Sequence, residues 1–330
     1  MTSRRAFVAT SLAAAATGVL PREPLAQTAA PVWPVATVNV IVPFPAGGSV
    51  DQLSRLMQAG LQQRLGATVI VENKPGAQGS IGTGQVARSK PDGATWLMVF
   101  DTHAVNPSLQ AMNFDTEKDL EPVLLIGTAP HILCTHPGRP WKSFADVVAA
   151  AKKEPGKLTY GSIGTGSLGH LTMVMLTKKA GVEMTHVPFR GGGPLLNDAL
   201  AGHVDFSIAS TALVNPQIAA GGLKPLLQTG AARLPVLKDV PTAIEQGFAG
   251  FESYAWWGAF GPKGTPEPLV SRMREAMIAT FKEPTIAAQL ADNMQMSATF
   301  GDGKALADWV TKQLKIWGDV VRDNGIKAGQ

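Results

Sequence analysis

Three times along this chain, an apolar strand-like segment runs directly into a glycine-rich loop that opens a helix-like segment. The three loops follow Phe44, Ser162 and Phe189. Strands that alternate with helices favour a parallel sheet covered by helices on both faces, because a parallel connection must cross the sheet. At each junction, backbone N–H groups and the positive end of a helix dipole can receive an anion. The pattern therefore favours an α/β fold that binds a small anionic ligand.

The first of these units shows the pattern in detail. A strand is predicted over residues 38–44, and Val50, Leu53, Met57 and Leu61 then recur on one helix face. Ser49 and Gln52 have the spacing of a capping box, and Asp51 falls in the first turn. Further strands are predicted over residues 68–72, 96–100, 123–126, 131–135, 158–162, 185–189, 204–209 and 223–228. From Pro268 onward the chain is predicted to be mainly helical, with a long terminal helix.

Length and composition narrow the class of protein. A chain of 330 residues predicts two domains, and a hydrophobic content of 45% excludes intrinsic disorder. The only cysteine, Cys134, excludes a disulfide framework, cysteine-ligated zinc and an iron–sulfur cluster. The formal charge is +4, of which residues 1–30 carry +2 (three arginines and one glutamate), so the rest is nearly neutral. Nucleic acid is therefore not an expected partner, since binding it needs a concentrated basic face.

The amino terminus has the layout of an export signal. Arg4 and Arg5 precede an alanine-rich apolar stretch that ends near Leu20, too short to span a membrane. The run Ser-Arg-Arg-x-Phe resembles a twin-arginine signal, and an ordinary secretory signal is the alternative. We expect cleavage between about Ala26 and Ala30, a periplasmic location and a mature protein without a membrane-spanning helix.

The middle loop also fits a different class of ligand. Gly164, Gly166 and Gly169 follow a strand and open a helix, which is the spacing of a dinucleotide fingerprint. The fingerprint requires an acidic residue at the end of the next strand, whereas Glu183 stands at its start. An exported oxidoreductase that binds a dinucleotide or flavin at Gly164–Gly169 is the alternative hypothesis.

Catalytic and metal-binding patterns are weak. The run from Thr165 to Gly169 differs from a nucleophile elbow because Thr165 replaces its first glycine, and His170 lacks an orienting acid. The six histidines form no metal-binding pair, so we expect no enzyme activity, no catalytic residue, no metal and no cofactor. Arg190 either binds a carboxylate at the far end of the ligand or is solvated.

The ordered motifs of the chain resemble one family. They are Val42-Pro43-Phe44-Pro45-Ala46-Gly47-Gly48-Ser49-Val50-Asp51, Val71-Glu72-Asn73-Lys74-Pro75-Gly76-Ala77, Pro91-Asp92-Gly93, His186-Val187-Pro188-Phe189-Arg190-Gly191, Leu200-Ala201-Gly202-His203-Val204-Asp205 and Val240-Pro241-Thr242. Together they resemble the Bug/TctC family of extracytoplasmic binding proteins of tripartite tricarboxylate transporters. Phe189 stands where tyrosine is commoner in the family.

This resemblance implies a fold and a function. The fold is a two-lobe, periplasmic binding protein-like (type II) α/β fold, with a mainly parallel sheet flanked by helices in each lobe. Residues 31–129 and 253–330 would form lobe 1, residues 130–252 lobe 2, and residues 1–30 the signal peptide. A non-catalytic, monomeric binding protein would capture a small carboxylate, either a di- or tricarboxylate or an aromatic acid, by hinge closure. It would deliver this ligand to the membrane subunits of a transporter, or alternatively to a sensory receptor.

The resemblance also implies a ligand-binding site in the cleft between the lobes. Lobe 1 would contribute Phe44, Ala46, Gly47, Gly48, Asp51, Thr102 and His103. Lobe 2 would contribute Ser162, Gly164, Thr165, Gly166, Ser167, Gly191 and Gly192. Thr165 and Ser167 are the preferred side-chain donors to a carboxylate, and Asp51 either faces the ligand or only begins its helix.

Overall fold

Strands and helices alternate through most of the computed structural model, which describes residues 33–327. The predicted signal peptide lies outside these residues. The strands are β1 (Thr37–Val42), β2 (Thr68–Asn73), β3 (Thr95–Phe100), β4 (Leu120–Thr135), β5 (Thr159–Ser162), β6 (Thr185–Pro188), β7 (Phe206–Ser210), β8 (Lys224–Gln228), β9 (Tyr254–Pro262) and β10 (Ser297–Gly301). The helices are α1 (Ser49–Leu65), α2 (Ser80–Ala87), α3 (Asn106–Leu109), α4 (Phe144–Lys153), α5 (Leu168–Ala180), α6 (Gly192–Leu200), α7 (Thr211–Ala219), α8 (Glu267–Phe281), α9 (Pro284–Ala288) and α10 (Gly303–Asp323).

The strands are joined in the order β2-β1-β3-β9-β4-β7-β5-β6, and β8 and β10 also pair with β4. Strand β1 is parallel to β2 and β3, and β5 is parallel to β6 and β7. The pairs that involve β4 or β9 are antiparallel. The strands that lead into the three glycine loops therefore lie in parallel pairs, as the alternation of strands and helices predicts.

One strand, β4, runs through both halves of this sheet. From Leu120 to Pro130 it pairs with β9, and from His131 onward it pairs with β7 and β8. We name the half that contains β1, β2, β3, β9 and β10 lobe 1, and the half that contains β5, β6, β7 and β8 lobe 2. The exact residue boundaries between the lobes stay a prediction.

The prediction of two separate strands over residues 123–126 and 131–135 is wrong, because β4 is continuous between them. Gly127 and Pro130, which usually interrupt strands, have specific places here. A Cβ on Gly127 would lie 2.5 Å from the carbonyl oxygen of Ser297, so the approach of β10 requires a glycine. Pro130 lies where the pairing partner of β4 changes, and there the loss of an N–H is tolerated.

Each lobe has its own hydrophobic core. Trp96, Trp257 and Met57 pack together in lobe 1, and Leu133, Met173 and Phe206 pack together in lobe 2. Strand β10 interrupts the region from Pro268 onward that the sequence predicts to be mainly helical, and both tryptophans of β9 are fully buried. Among residues 33–327, no helix has both the length and the apolar character that crossing a membrane requires.

Candidate functional site

The first and third glycine loops lie against each other across the two lobes. The first loop, residues 45–48, joins β1 to α1, and the third, residues 189–191, joins β6 to α6. A Cβ on Gly191 would lie 3.0 Å from Cδ of Pro45, and a Cβ on Gly48 would lie 3.9 Å from the Gly192 nitrogen. The lobes are therefore closed on each other at this place.

Two cavities lie between the lobes. The larger is a cleft of about 660 Å³, lined by Pro43, Phe44, Pro45, Pro75, Gly76, Ala77, Gln78, Gly79, Thr102, Ile163, Gly164, Thr165, Pro188, Phe189, Arg190 and Gly191. The smaller, of about 30 Å³, is lined by Phe44, Gly48, Ser49, Val50, Phe100, His131, Ile163, Gly169, Gly191, Gly192, Ile208, Ala209, Ser210 and Leu213. Phe44, Ile163 and Gly191 line both cavities, so the small cavity is the inner end of the cleft.

The inner cavity is placed where three helices begin. The N-cap residues of α1, α6 and α7 are Gly48, Gly191 and Ser210, and all three residues line it. Within the described residues, the N–H groups of Gly48, Gly191 and Gly192 donate no hydrogen bond to the protein. Unpaired N–H groups at helix starts carry partial positive charge. The inner cavity therefore has the electrostatics of an anion site.

The second loop, residues 163–167 between β5 and α5, uses its own N–H groups. The Gly166 N–H donates to Nδ1 of His170 at 2.9 Å, and the Ser167 N–H donates to the Gly164 carbonyl at 3.1 Å. The Gly164 N–H donates to Oγ of Ser162 at 3.3 Å. In this closed state, these three donors are occupied by protein acceptors.

Two glycines of this second loop pack against side chains of lobe 1. Gly164 and Gly166 have φ values of +138° and +82°, a region that disfavours side chains. A Cβ on Gly164 would lie 3.0 Å from Nε2 of Gln78, and one on Gly166 would overlap Leu109. The spacing that resembles a dinucleotide fingerprint therefore serves packing between the lobes.

A group of neutral histidines supports the second loop from behind. The rings of His170 and His186 stack with centroids 4.0 Å apart, and Nε2 of His186 lies 2.7 Å from Oγ of Ser162. Burial lowers the pKa of His170 to about 4, and burial together with the charge of His170 lowers the pKa of His186 to about 3. No carboxylate among residues 33–327 hydrogen-bonds or forms an ion pair with His186, so Ser162 and His186 lack the third member of a catalytic triad.

Asp51 holds the first loop in shape. Its carboxylate accepts the Gly47 N–H at 3.0 Å, Nε of Arg55 at 3.0 Å and Nδ2 of Asn73 at 3.0 Å. Burial raises the pKa of Asp51, but these hydrogen bonds outweigh it and hold the pKa below its usual value. The predicted capping box is wrong, because the N-cap is Gly48 and the Gln52 side chain donates to the Gly47 carbonyl. The chain therefore positions the loop through Asp51 rather than through Ser49.

The predicted site residues fall into three groups. Phe44, Thr102, Gly164, Thr165 and Gly191 line the cleft, and Gly48 and Gly192 line the inner cavity. Adjacent to these walls, and lining neither cavity, are Ala46, Gly47, Asp51, Ser162, Gly166, Ser167 and His103. His103 packs with its ring centroid 5.1 Å from that of Phe260, and burial lowers its pKa to about 4. That these residues bind a ligand stays a prediction.

Sequence reasoning did not place Gln78, Phe189 and Pro188 at this cleft, although all three line it. A signal for Gln78 exists in the sequence, since it is a long polar side chain between two glycines, Gly76 and Gly79. Among residues 33–327, Arg190 is the only charged side chain that lines the cleft, and it is exposed. Within the described residues, Arg190 forms no ion pair with a carboxylate of the protein.

Comparison with known sequences identifies a family for a large part of the chain. The sequence model of a family described as "Tripartite tricarboxylate transporter family receptor" matches residues 53–326. This match includes nine of the ten strands, all but β1, and most of α1.

Solved structures with similar sequences support this assignment. The periplasmic binding protein BugD is 32% identical with a TM-score of 0.83, over 88% of this chain and 98% of that one. An R. palustris protein solved with adipate is 30% identical with a TM-score of 0.85, over 90% of this chain and 99% of that one. MatC from Rhodopseudomonas palustris, with bound malate, is 31% identical with a TM-score of 0.82, over 87% of this chain and 99% of that one. The two-lobe α/β fold predicted from the sequence is thus confirmed.

Proposed function

Because this chain belongs to the tripartite tricarboxylate transporter receptor family, we propose that it is a periplasmic receptor that captures a small carboxylate between its two lobes. It would deliver the carboxylate to the membrane subunits of a transporter. The family consists of substrate-binding receptors, so the expectation of a protein that is not an enzyme is confirmed. The oxidoreductase and sensory alternatives have no support from the family.

The observation that carries the proposal is the meeting of free backbone donors at the inner cavity. A carboxylate there would accept N–H groups from Gly48 of lobe 1 and from Gly191 and Gly192 of lobe 2. Hydrogen bonds to a charged acceptor contribute roughly 1.5–3 kcal/mol each, which suits a ligand whose charge is fully desolvated. Both lobes supply donors to one anion, so the ligand favours the closed state.

The outer cleft would hold the body of the ligand. In the part of the chain that the structure describes, its walls are largely apolar, with Phe44, Phe189 and four prolines, and none of its lining residues is acidic. Arg190, without an ion pair in the described structure, adds positive charge at this cleft. Relatives solved with adipate and with malate bind dicarboxylates, which agrees with an anion-binding site of this size. The proposed ligand is therefore a carboxylate with an apolar carbon skeleton, which packs against these walls.

Six of the residues predicted from the sequence are proposed to contact the ligand, with roles divided by the geometry. Gly48, Gly191 and Gly192 would bind through backbone N–H groups, and Phe44, Thr102 and Thr165 would contact the ligand through side chains. Asp51 and His170 would position the loops and would not touch the ligand. We further propose that the receptor is a monomer and that residues 1–30 direct it to the periplasm.

A thermal melt across a panel of ligands tests this proposal. A ligand that binds only the folded state raises its stability by ~2.7 kcal/mol at a hundredfold excess over Kd, which is a shift of a few degrees in Tm. We expect a shift with at least one of adipate, malate, citrate and benzoate, and none with the corresponding amide. NAD and FAD serve as controls and should give no shift. A shift with NAD and with no carboxylate would overturn the proposal.

A further inference from the structure

The turn that faces the second glycine loop has an unusual backbone. It spans Ala77–Gly79, and it contains two consecutive non-glycine residues with positive φ, Ala77 at 44° and Gln78 at 57°. This region of φ is sterically costly for any residue with a Cβ, and glycine would occupy it without cost. Such strain persists where the surrounding structure imposes it and concentrates at functional sites.

Polar side chains of lobe 1 hold the turn in this conformation. The Gln78 carbonyl accepts Oγ1 of Thr102 at 3.2 Å and Nδ2 of Asn106 at 3.0 Å. The Ala77 carbonyl accepts Nε2 of Gln110 at 3.0 Å. The backbone of Gln78 is therefore fixed to lobe 1 independently of its side chain.

The side chain of Gln78 crosses to lobe 2. Its Nε2 donates a hydrogen bond to the carbonyl oxygen of Thr165, and its amide lies over Gly164, where a Cβ would lie 3.0 Å from Nε2. The same side chain lines the cleft. Since Gly164 has no side chain, the Gln78 amide can reach a carbonyl that any other residue would screen.

From this geometry we propose that Gln78 is a latch that holds the lobes closed over a bound ligand. The latch rests on the proposed function, because its purpose is to retain a ligand in the cleft. It acts on the closed state through Thr165 and is a positioning residue. The strained backbone is kept because glycine, which would fit the turn better, has no side chain to make this bond.

The latch predicts effects on ligand release rather than on capture. The bond between Gln78 and Thr165 exists only when the lobes are closed, so losing it destabilises the closed complex and leaves the open protein unchanged. The loss of one net hydrogen bond corresponds to about a fivefold faster release. Association, which begins from the open state, should change by less than twofold.

Two glycine substitutions separate the latch from the strain. Gln78→Gly removes both the side chain and the strain of the latch, whereas Gln295→Gly removes the same type of side chain and a similar strain, a φ of 49°, at a residue that does not line the cleft. We expect the ligand-free Tm of each variant to equal or exceed that of the wild type. Dissociation of adipate or malate, whichever shifts the wild-type Tm, should be about fivefold faster from Gln78→Gly and unchanged in Gln295→Gly. Gln78→Asn, whose side chain is one methylene shorter, should release the ligand as fast as Gln78→Gly does.

Equal release rates for Gln78→Gly and Gln295→Gly would overturn the latch while leaving the carboxylate receptor intact. Conversely, a wild type that binds no carboxylate would contradict the proposed function. That result would overturn the latch as well, because the latch rests on the proposed function.

Discussion

Acidification should weaken the second glycine loop, because His170 must be neutral to support it. Its Nδ1 accepts the Gly166 N–H at 2.9 Å, and a protonated Nδ1 cannot accept a hydrogen bond. Burial lowers the pKa of His170 from 6.5 to about 4. Between these two pH values, the native state therefore binds fewer protons than the unfolded state. The stabilisation is therefore fully present above pH 6.5 and is lost as the pH falls toward 4.

The pKa difference sets the size of this effect. For pKa values of 6.5 unfolded and about 4 folded, the lost stabilisation is about 1.4 kcal/mol at pH 5.5 and about 2.6 kcal/mol at pH 4.5. A single buried side chain should thus account for a measurable part of the acid sensitivity.

Denaturant unfolding from pH 7.5 to pH 4.5 measures this contribution, with His170→Asn as the variant. The variant carries no titrating group at this position, so its stability should fall by about 2.6 kcal/mol less than that of the wild type. The control is His203→Asn, the same substitution at a histidine whose side chain is 68% exposed and lies outside the second loop. A constant difference between wild type and His170→Asn across the range would refute the reasoning.

Two further predictions concern the inner cavity and the hinge. Gly48→Val should abolish carboxylate binding measured by calorimetry and keep the fold, because φ of −77° suits valine, a Cβ has space, and the branched side chain fills the small cavity. Arg190→Ala should reduce binding less, and the reverse order would replace the backbone account with a charge clamp. Saturating ligand should lower the radius of gyration in small-angle scattering, and a profile that does not change would contradict hinge closure.

Local pattern was sufficient to predict the units that surround the glycine loops. The alternation of apolar residues placed β1, and the helical spacing of Leu53, Met57 and Leu61 placed α1, since both signals lie within a few residues. The continuity of β4 was not predictable in this way. Gly127 and Pro130 are strand breakers locally, and only their distant partners in β10 and β9 make them acceptable.

The candidate site shows the same division between local and distant information. Helices α1 and α6 each begin in a glycine-rich loop that directly follows a predicted strand. The free N–H groups of the first and third loops were therefore predictable from the sequence. The second loop was predicted as a further anion cradle, yet its Gly166 N–H is donated to His170. Gln78 was missed because its role depends on a contact with Thr165, 87 residues away in the sequence.

The pairing of Pro130 with Tyr254 has a consequence for how this architecture can be rearranged. The chain leaves lobe 1 along β4 and returns along β9, and these two residues are direct neighbours in the antiparallel register. Opposed residues in such a pair have Cα atoms only ~5 Å apart. The intervening segment is thus an insertion with adjacent ends, so a short β-turn could join β4 to β9 in its place. Equally, the corresponding segment of a relative could be grafted at the same two points, which would exchange half of the binding cleft in one step.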